Sequence, residues 1–170
     1  GPCAYLCAAL MQPPKVLFAR AISNGAGRTD IIASVENKNA AAAAKNIPYS
    51  LQLHSVKGFL IQEVSGTLDL PPGATVPVFI PGVFSGKQAV ANAFLTIDPS
   101  LPAWFSMDAG SRSAPLVSDL KQSGTPDAPR IEATLTNPGA ATLTNVRVVV
   151  LVRNASADVI AASETVVPAI

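Results

Sequence analysis

The sequence predicts an all-β protein built from two tandem β-sandwich domains, the second of which lacks its last strands within the chain. Three observations predict this fold: short segments of alternating apolar residues, turn-forming residues between them, and an internal repeat. Many residues are small or β-branched, which suits the pleated, half-buried surface of a sheet. No segment predicts a convincing amphipathic helix.

The internal repeat is the most informative of these observations. Residues 30–37, with the sequence DIIASVEN, align with residues 130–137, RIEATLTN. After one gap, residues 46–53 align with residues 145–152. Apolar positions match in both alignments, and the first segment of each copy ends with an asparagine. We interpret the two halves of the chain as two copies of one fold.

Each copy follows the same plan of short strands. In the first copy, strands are predicted over residues 16–22, 29–36, 47–54, 59–64, 76–80 and 89–97. In the second copy, strands are predicted over residues 116–122, 130–136, 146–153 and 159–165. Short strands separated by turns about every 8–12 residues are typical of an immunoglobulin-like sandwich.

Two details refine the strand prediction. Pro48 and Pro77 lie inside predicted strands and indicate sheet edges or β-bulges, because proline has no N–H to donate to a neighbouring strand. Residues 40–45 are rich in alanine, but the stretch is too short to form a helix on its own. We expect it to connect two strands.

The expected domain organisation follows from the repeat. It comprises an N-terminal tail over residues 1–13, a first immunoglobulin-like domain over 14–100, a linker over 101–113 and an incomplete second domain over 114–170. The second domain is incomplete because the last strands of the first copy have no counterpart in it.

Three explanations for these missing strands stay open. The chain is a fragment, another molecule donates the strands by β-augmentation, or the second copy is a shortened fold. A sandwich without its final strands exposes an unpaired sheet edge and an open apolar core. What occupies the place of these strands is therefore the central question about this sequence.

The N-terminal tail contains two kinds of candidate residue. Cys3 and Cys7 are candidates for a local disulfide or for two free thiols, and no further ligand lies nearby to complete a metal site. Tyr5, Leu6 and Leu10 are candidates for an apolar donor strand that pairs with another molecule. The alternative for this tail is a poorly ordered terminus.

Net charge argues against several classes of partner. The 12 basic and 11 acidic residues give a net charge of +1, and charged residues make up 14% of the chain, compared with roughly 25% in an average soluble domain. Because the basic residues form no patch, nucleic acid is not an expected partner. No apolar stretch reaches the ~20 residues of a membrane helix, so no membrane span is expected, and no secretory signal is present in the chain as given.

No set of residues predicts catalysis, so an enzyme is not expected and neither is a cofactor or a metal ion. His54 is the only histidine, and we expect it to face solvent beside a turn. A single histidine cannot be matched with a nucleophile and an orienting carboxylate. The acidic residues are too scattered for paired acid–base catalysis or a calcium loop. Asn154 begins a glycosylation sequon at a predicted turn.

Two aromatic residues, Trp104 and Phe105, lie in the predicted linker. One interpretation is that they pack between the two domains and set their relative angle. The other is that they form an exposed anchor for a partner, since aromatic residues often dominate binding energy at interfaces.

The repeated segments resemble a known family. In the first copy, DIIASVENKN, NIPYSLQL and LPPG resemble two-domain surface proteins of candidate-phylum bacteria. In the second copy, ATLTN and NVRVVVLV resemble the FxLYD-type immunoglobulin-like domain. LQLHS in the first copy and VLVRN in the second stand where that family has its namesake motif. The resemblance covers about residues 14–168. It implies a secreted or membrane-tethered envelope protein without enzymatic activity.

These observations lead to two hypotheses about function. The first is a non-enzymatic structural protein of the cell surface, either a stalk or a filament subunit that self-assembles by strand donation. Its expected partners are other copies of itself or other domains of a longer surface protein. The alternative is an adhesin or ligand-binding module that uses the loops at one end of a sandwich. Both hypotheses place the protein outside the cell or in the cell envelope.

Overall fold

The computed structural model describes residues 5–23, 28–84, 86, 88–111, 114–125 and 128–170. All long elements within these residues are β-strands, and helical geometry is confined there to two 3₁₀ turns, Ala8–Leu10 and Ala109–Ser111. The strands pair in several antiparallel sheets. The prediction of an all-β protein is confirmed.

The strands lie close to the predicted segments. In chain order they are β1 (Lys15–Ser23), β2 (Arg28–Glu36), β3 (Ala42–Ser55), β4 (Leu60–Leu70), β5 (Thr75–Phe84), β6 (Val90–Thr96), β7 (Phe105–Ser106), β8 (Leu116–Thr125), β9 (Ala128–Thr136), β10 (Thr144–Arg153) and β11 (Val159–Ala169). Most of them are longer than predicted, because tertiary pairing extends them beyond the apolar alternation that marks them in the sequence.

The start of β3 corrects one prediction. The alanine-rich residues 42–45 belong to a strand, although we expected them to connect two strands. Ala44 pairs with Leu70 of β4, and Ala42 pairs with Ser106 of β7. Both alanines are buried and belong to the hydrophobic core.

The chain divides into two compact units. Unit 1 comprises Gly1–Ala109 and Val149–Ser163, and unit 2 comprises Gly110–Val148 and Glu164–Ile170. Strands β10 and β11 contribute to both units, with the residues around their connecting turn in unit 1. The predicted domains are continuous stretches of sequence, and their boundaries stay a prediction.

Unit 1 contains two sheets around one core. Strands β1, β2 and β5 form one sheet in the order β1-β2-β5, and strands β4, β3 and β6 form the other in the order β4-β3-β6. The short strand β7 pairs with the beginning of β3. Buried apolar residues of both sheets and Trp104 make up a single hydrophobic cluster.

Strand β2 shows why this core forms. Ile31, Ala33 and Val35 project from one face into the core and are fully buried. Burying an isoleucine or valine side chain stabilises a fold by about 1.5–3 kcal/mol. β2 lies between β1 and β5, so its backbone has a partner strand on each edge.

The two prolines lie where proline does least harm to a sheet. Pro77 lies in β5, an edge strand of its sheet. Pro48 follows a register shift in β3 that includes Asn46, whose φ is 52°. At Pro48 the strand pairs with β4, while β6 pairs with β3 only from Ser50 onward. The expectation of edges or bulges at both prolines is confirmed.

The second copy forms smaller sheets. Strands β8 and β9 form one two-stranded sheet, and β10 and β11 form another. Within the described residues, β9 has no neighbour on the edge that β5 covers in the first copy. All ten residues of β8 are exposed, and on β9 only Ile131 and Leu135 are partly buried.

Matching hydrogen bonds support the interpretation of the repeat. The Asn37 side-chain amide donates to the carbonyls of Ala42 and Leu70, and its Oδ1 accepts from the Asn39 N–H. In the second copy, Asn137 repeats this arrangement: it donates to the carbonyls of Ala141 and Ile170, and it accepts from the Gly139 N–H. In each copy one asparagine ties the end of a strand to the end of a distant strand.

The turns of the two copies also match. Ser55 N–H donates to the Phe59 carbonyl, and Gly58, with a φ of 82°, closes the turn. In the second copy, Asn154 N–H donates to the Asp158 carbonyl, and Ala157 occupies the position of the glycine with a φ of 65°. An alanine in this left-handed region is strained, whereas a glycine is not.

Replacing Asn37 by alanine should destabilise unit 1. The change leaves buried carbonyls without their donor, so we expect the free energy of unfolding to fall by about 2–4 kcal/mol. Urea unfolding followed by the fluorescence of Trp104, the single tryptophan, measures this effect. Asn137→Ala is the matched control. Because unit 2 contains no tryptophan, this variant should leave the unfolding transition that is followed by Trp104 fluorescence unchanged. Equal shifts in both variants would contradict a local role for Asn37.

Exchanging glycine and alanine at the two matched turns should have opposite effects. Ala157→Gly relieves the positive φ and should stabilise the protein by about 0.5–1 kcal/mol, while Gly58→Ala should destabilise it by a similar amount. No heavy atom lies within 4 Å of a Cβ added at Gly58, so the effect there is conformational. Thermal unfolding of both variants provides the measurement, and shifts of the same sign would argue against this explanation.

Candidate interaction surfaces

Side chains that could bind a metal ion do not cluster within the described residues. No group of three or more histidine, cysteine or acidic side chains lies close enough there to hold a metal ion. His54 is half-buried in β3, and its ring lies 5.3 Å from the ring of Phe94, centroid to centroid. We expect from the sequence that His54 faces solvent. In the structure it is only partly exposed, because its ring packs against Phe94.

The two aromatic residues of the predicted linker lie in unit 1. Trp104 is 1% exposed and belongs to the hydrophobic cluster of that unit. Phe105 lies in β7, opposite Ala43 of β3, and is partly exposed. Because Trp104 is buried, little of its ring can contact a partner. The contribution of Trp104 and Phe105 to an interface between domains stays a prediction.

The N-terminal segment presents apolar side chains to solvent. Leu10 is 80% exposed, and Tyr5 and Leu6 are also exposed. Cys7 is exposed as well. Its predicted partner, Cys3, lies outside the described residues, so the disulfide stays a prediction.

The base of this segment is fixed to unit 1. The Gln12 N–H donates to the side-chain oxygen of Asn39, and the Asn39 side-chain amide donates to the Gln12 carbonyl at 2.8 Å. Met11 packs against the core. Beyond this base, the Leu6 N–H donates to the Trp104 carbonyl at 2.7 Å. The segment is therefore attached firmly at Met11 and Gln12, and more lightly before them.

A groove in unit 1 lies between β1 and β6. Its lining includes Arg20 of β1, Phe94 of β6 and Val159 of β11. The Arg20 guanidinium donates to the Val159 carbonyl at 3.0 Å and lies 3.5 Å from the Asp158 carboxylate. Because Arg20 is the charged residue of the lining and is already bonded, the groove lacks an unengaged charge for a ligand.

The outer edge of β9 differs sharply from its counterpart in unit 1. Ala33 of β2 is fully buried between two neighbouring strands, while Ala133, at the equivalent position of β9, is exposed. On the other side of β9, β8 exposes large apolar residues, and Leu120 is 71% exposed. A row of unpaired backbone groups beside apolar side chains is a template for an additional strand.

Charges on β9 do not prevent such pairing. Arg130 and Glu132 form an ion pair on β9, with 2.6 Å between the guanidinium and a carboxylate oxygen. Both side chains are largely exposed and belong to one strand. An uncharged strand added beside β9 would therefore leave no buried charge without a partner.

The glycosylation sequon lies on an exposed turn. Asn154 Oδ1 accepts hydrogen bonds from the backbone N–H groups of Ser156 and Asp158. These bonds give the side chain a clear structural role in shaping the turn, and its glycosylation stays a prediction.

Comparison with known proteins found no match among family models, characterised proteins or solved structures. No helix in the described part of the chain is long and apolar enough to cross a membrane.

Sequence reasoning missed two features of these surfaces. It did not anticipate the hydrogen bond between Arg20 and Val159. Patterns in the sequence predict contacts between residues that are close in the chain, and these two residues are far apart. It also did not single out the edge of β9 among the strands of the second copy. The sequence did carry a signal for that edge, because the second copy as given contains no counterpart of the segment that forms β5 in the first copy.

Changing Ser100 should raise the pKa of Asp98. The Ser100 hydroxyl and N–H both donate to Asp98 Oδ1, and these bonds lower the pKa of that carboxyl below its ordinary value. We expect Ser100→Ala to raise the pKa part of the way back, because the N–H remains. A carboxyl titration by NMR measures the change, with Ser100→Thr as the control that keeps a hydroxyl.

The sign of the accompanying effect on stability follows from the lowered pKa. A carboxyl with a lowered pKa in the folded state stabilises the fold above its unfolded pKa, and this contribution is lost as the pH falls through the folded value. Asp98 is exposed, so the titration itself is the useful readout. An unchanged pKa in Ser100→Ala would show that the hydroxyl is not responsible.

Proposed function

We propose that the protein is a non-enzymatic structural subunit of the cell surface, made of two tandem immunoglobulin-like β-sandwich modules. Its second module is completed by strands from another molecule, and this strand addition joins subunits. The resemblance to bacterial surface proteins motivates the proposed location outside the cell or in the envelope.

The strand order of unit 1 supports an immunoglobulin-like arrangement. In that fold, strand B lies between strands A and E, and strand C lies between C′ and F. The orders β1-β2-β5 and β4-β3-β6 correspond to these neighbours. The two sheets share one core, as the layers of a sandwich do.

The exposed edge of β9 is the observation that carries the proposal. The internal repeat and the matched asparagines relate β9 to β2, a strand that is central and buried in unit 1. β9 has the sequence of such a strand, but no described strand covers its second edge. A strand from a partner would supply the missing neighbour.

Physical considerations favour such completion. An isolated two-stranded sheet is at best marginally stable in water, and three or more strands with an apolar face are needed for independent stability. Strand addition supplies backbone hydrogen bonds for affinity and side-chain contacts for specificity. Unit 2 therefore gains stability from the same contact that joins it to a partner.

A lysine at the β9 edge should abolish self-association. Ala133 is exposed in the free chain, whereas its counterpart Ala33 is buried beside β5. We expect Ala133→Lys to leave folding stability unchanged within about 0.5 kcal/mol and to remove concentration-dependent assembly. Sedimentation velocity over a concentration series measures the size distribution.

A matched control separates edge pairing from a general effect of charge. Ser123→Lys adds the same charge on β8, at an exposed position whose counterpart Ser23 is also exposed in unit 1. This variant should assemble like the unchanged protein. A chain that stays monomeric at all concentrations, or equal loss of assembly in both variants, would count against the proposed function.

A further inference from the structure

Strand β5, which pairs with β2, shows what kind of strand would fit the open edge of β9. Three residues of β5 face the core at alternate positions. They lie opposite β2 in the pairs Val35↔Val76, Ala33↔Val78 and Ile31↔Ile80. Between them, Pro77 lies opposite Ser34. The edge of β9 therefore calls for an antiparallel strand with three apolar residues spaced two apart.

The N-terminal segment has this pattern. Leu6, Ala8 and Leu10 are spaced two apart, and Cys7 and Ala9 lie between them. The segment carries no charge and is not part of a strand in unit 1. Its exposed leucines match the requirement for side chains that can enter an apolar face.

We propose that residues 5–10 of one copy pair antiparallel with β9 of a second copy. By analogy with β5 on β2, the register would be Leu6↔Leu135, Cys7↔Thr134, Ala8↔Ala133, Ala9↔Glu132 and Leu10↔Ile131. This inference rests on the proposed function and extends it, since it names the donor, the acceptor edge and the register.

The present contacts of the donor are few enough to be exchanged. Apart from the bond of Leu6 to Trp104, the backbone bonds described for it lie within its own 3₁₀ turn, from Leu10 to Cys7 and from Met11 to Ala8. Pairing with β9 would replace them with the bonds of a strand ladder.

The geometry of the tail allows the exchange. Gln12 stays bonded to Asn39 and fixes the base of the segment. Residues 5–10 extended at about 3.3 Å per residue would span about 20 Å beyond that base. The span is about the length of β9 that the register uses, so the tail can cover the edge while its base remains in unit 1.

The test uses the native thiol of Cys7. In the proposed register Cys7 lies opposite Thr134, and directly opposed residues of antiparallel strands are close enough for a disulfide. The full chain carrying Cys3→Ser and Thr134→Cys is incubated with oxidised glutathione and run on a non-reducing gel. We expect covalent links between copies, several-fold more abundant than in the control Ser123→Cys in the same Cys3→Ser background.

Two further variants, read on the same gel, test the proposed pairing. Adding Cys7→Ser must abolish the link, and Thr136→Cys, two residues away on the same strand, must give a weaker one. Links no more abundant than in the Ser123→Cys control would overturn the proposed pairing. A disulfide within a single chain, which migrates as a monomer, would overturn the assignment to a second copy.

The inference and the proposed function can fail separately. If Ala133→Lys abolishes assembly and Thr134→Cys forms no link, the edge of β9 is used, but by a different segment of the second copy. If neither the unchanged chain nor any variant assembles at any concentration, the proposed function itself is wrong. Circular dichroism of each variant verifies that its strand content is unchanged.

Discussion

Pairing on both edges of a central strand is the interaction on which this structure depends. In unit 1, β1 and β5 flank β2, so its backbone groups are bonded on each side and its apolar residues are buried. Backbone pairing and side-chain burial reinforce each other, because a strand that lacks a neighbour also leaves its side chains uncovered. Within the described residues, β9 has the pattern of a central strand but pairs with β8 alone, and it remains exposed.

Local structure is nevertheless the same in the two copies. Asn37 and Asn137 make matching hydrogen bonds, and the turns at Gly58 and Ala157 have the same handedness. These features involve a few residues each and form whether or not a full set of strands surrounds them. The second copy is therefore organised locally, and its open edge is a specific surface instead of a generally unfolded region.

Under the proposed pairing, each subunit would carry both a donor segment and an acceptor edge. A contact between two different surfaces of the same chain is heterologous, and such contacts build rings or open filaments, depending on whether the rotation closes. A structural protein of the cell surface could use this geometry without any catalytic residue. The contacts between subunits would be held mainly by backbone hydrogen bonds, which any segment in an extended conformation can form.

The sequence by itself determined the strands, the turns and the repeat, because alternation, proline positions and asparagine turns are local signals. It also pointed to Leu6 and Leu10 as apolar residues of a candidate donor segment in the tail. Only the tertiary structure decided that the alanines at the start of β3 form a strand, that Trp104 enters the core, and that β9 is exposed where β2 is buried. The physical reason is that a period of two residues marks a strand and its faces, while the neighbours of that strand are chosen by contacts between residues far apart in the chain.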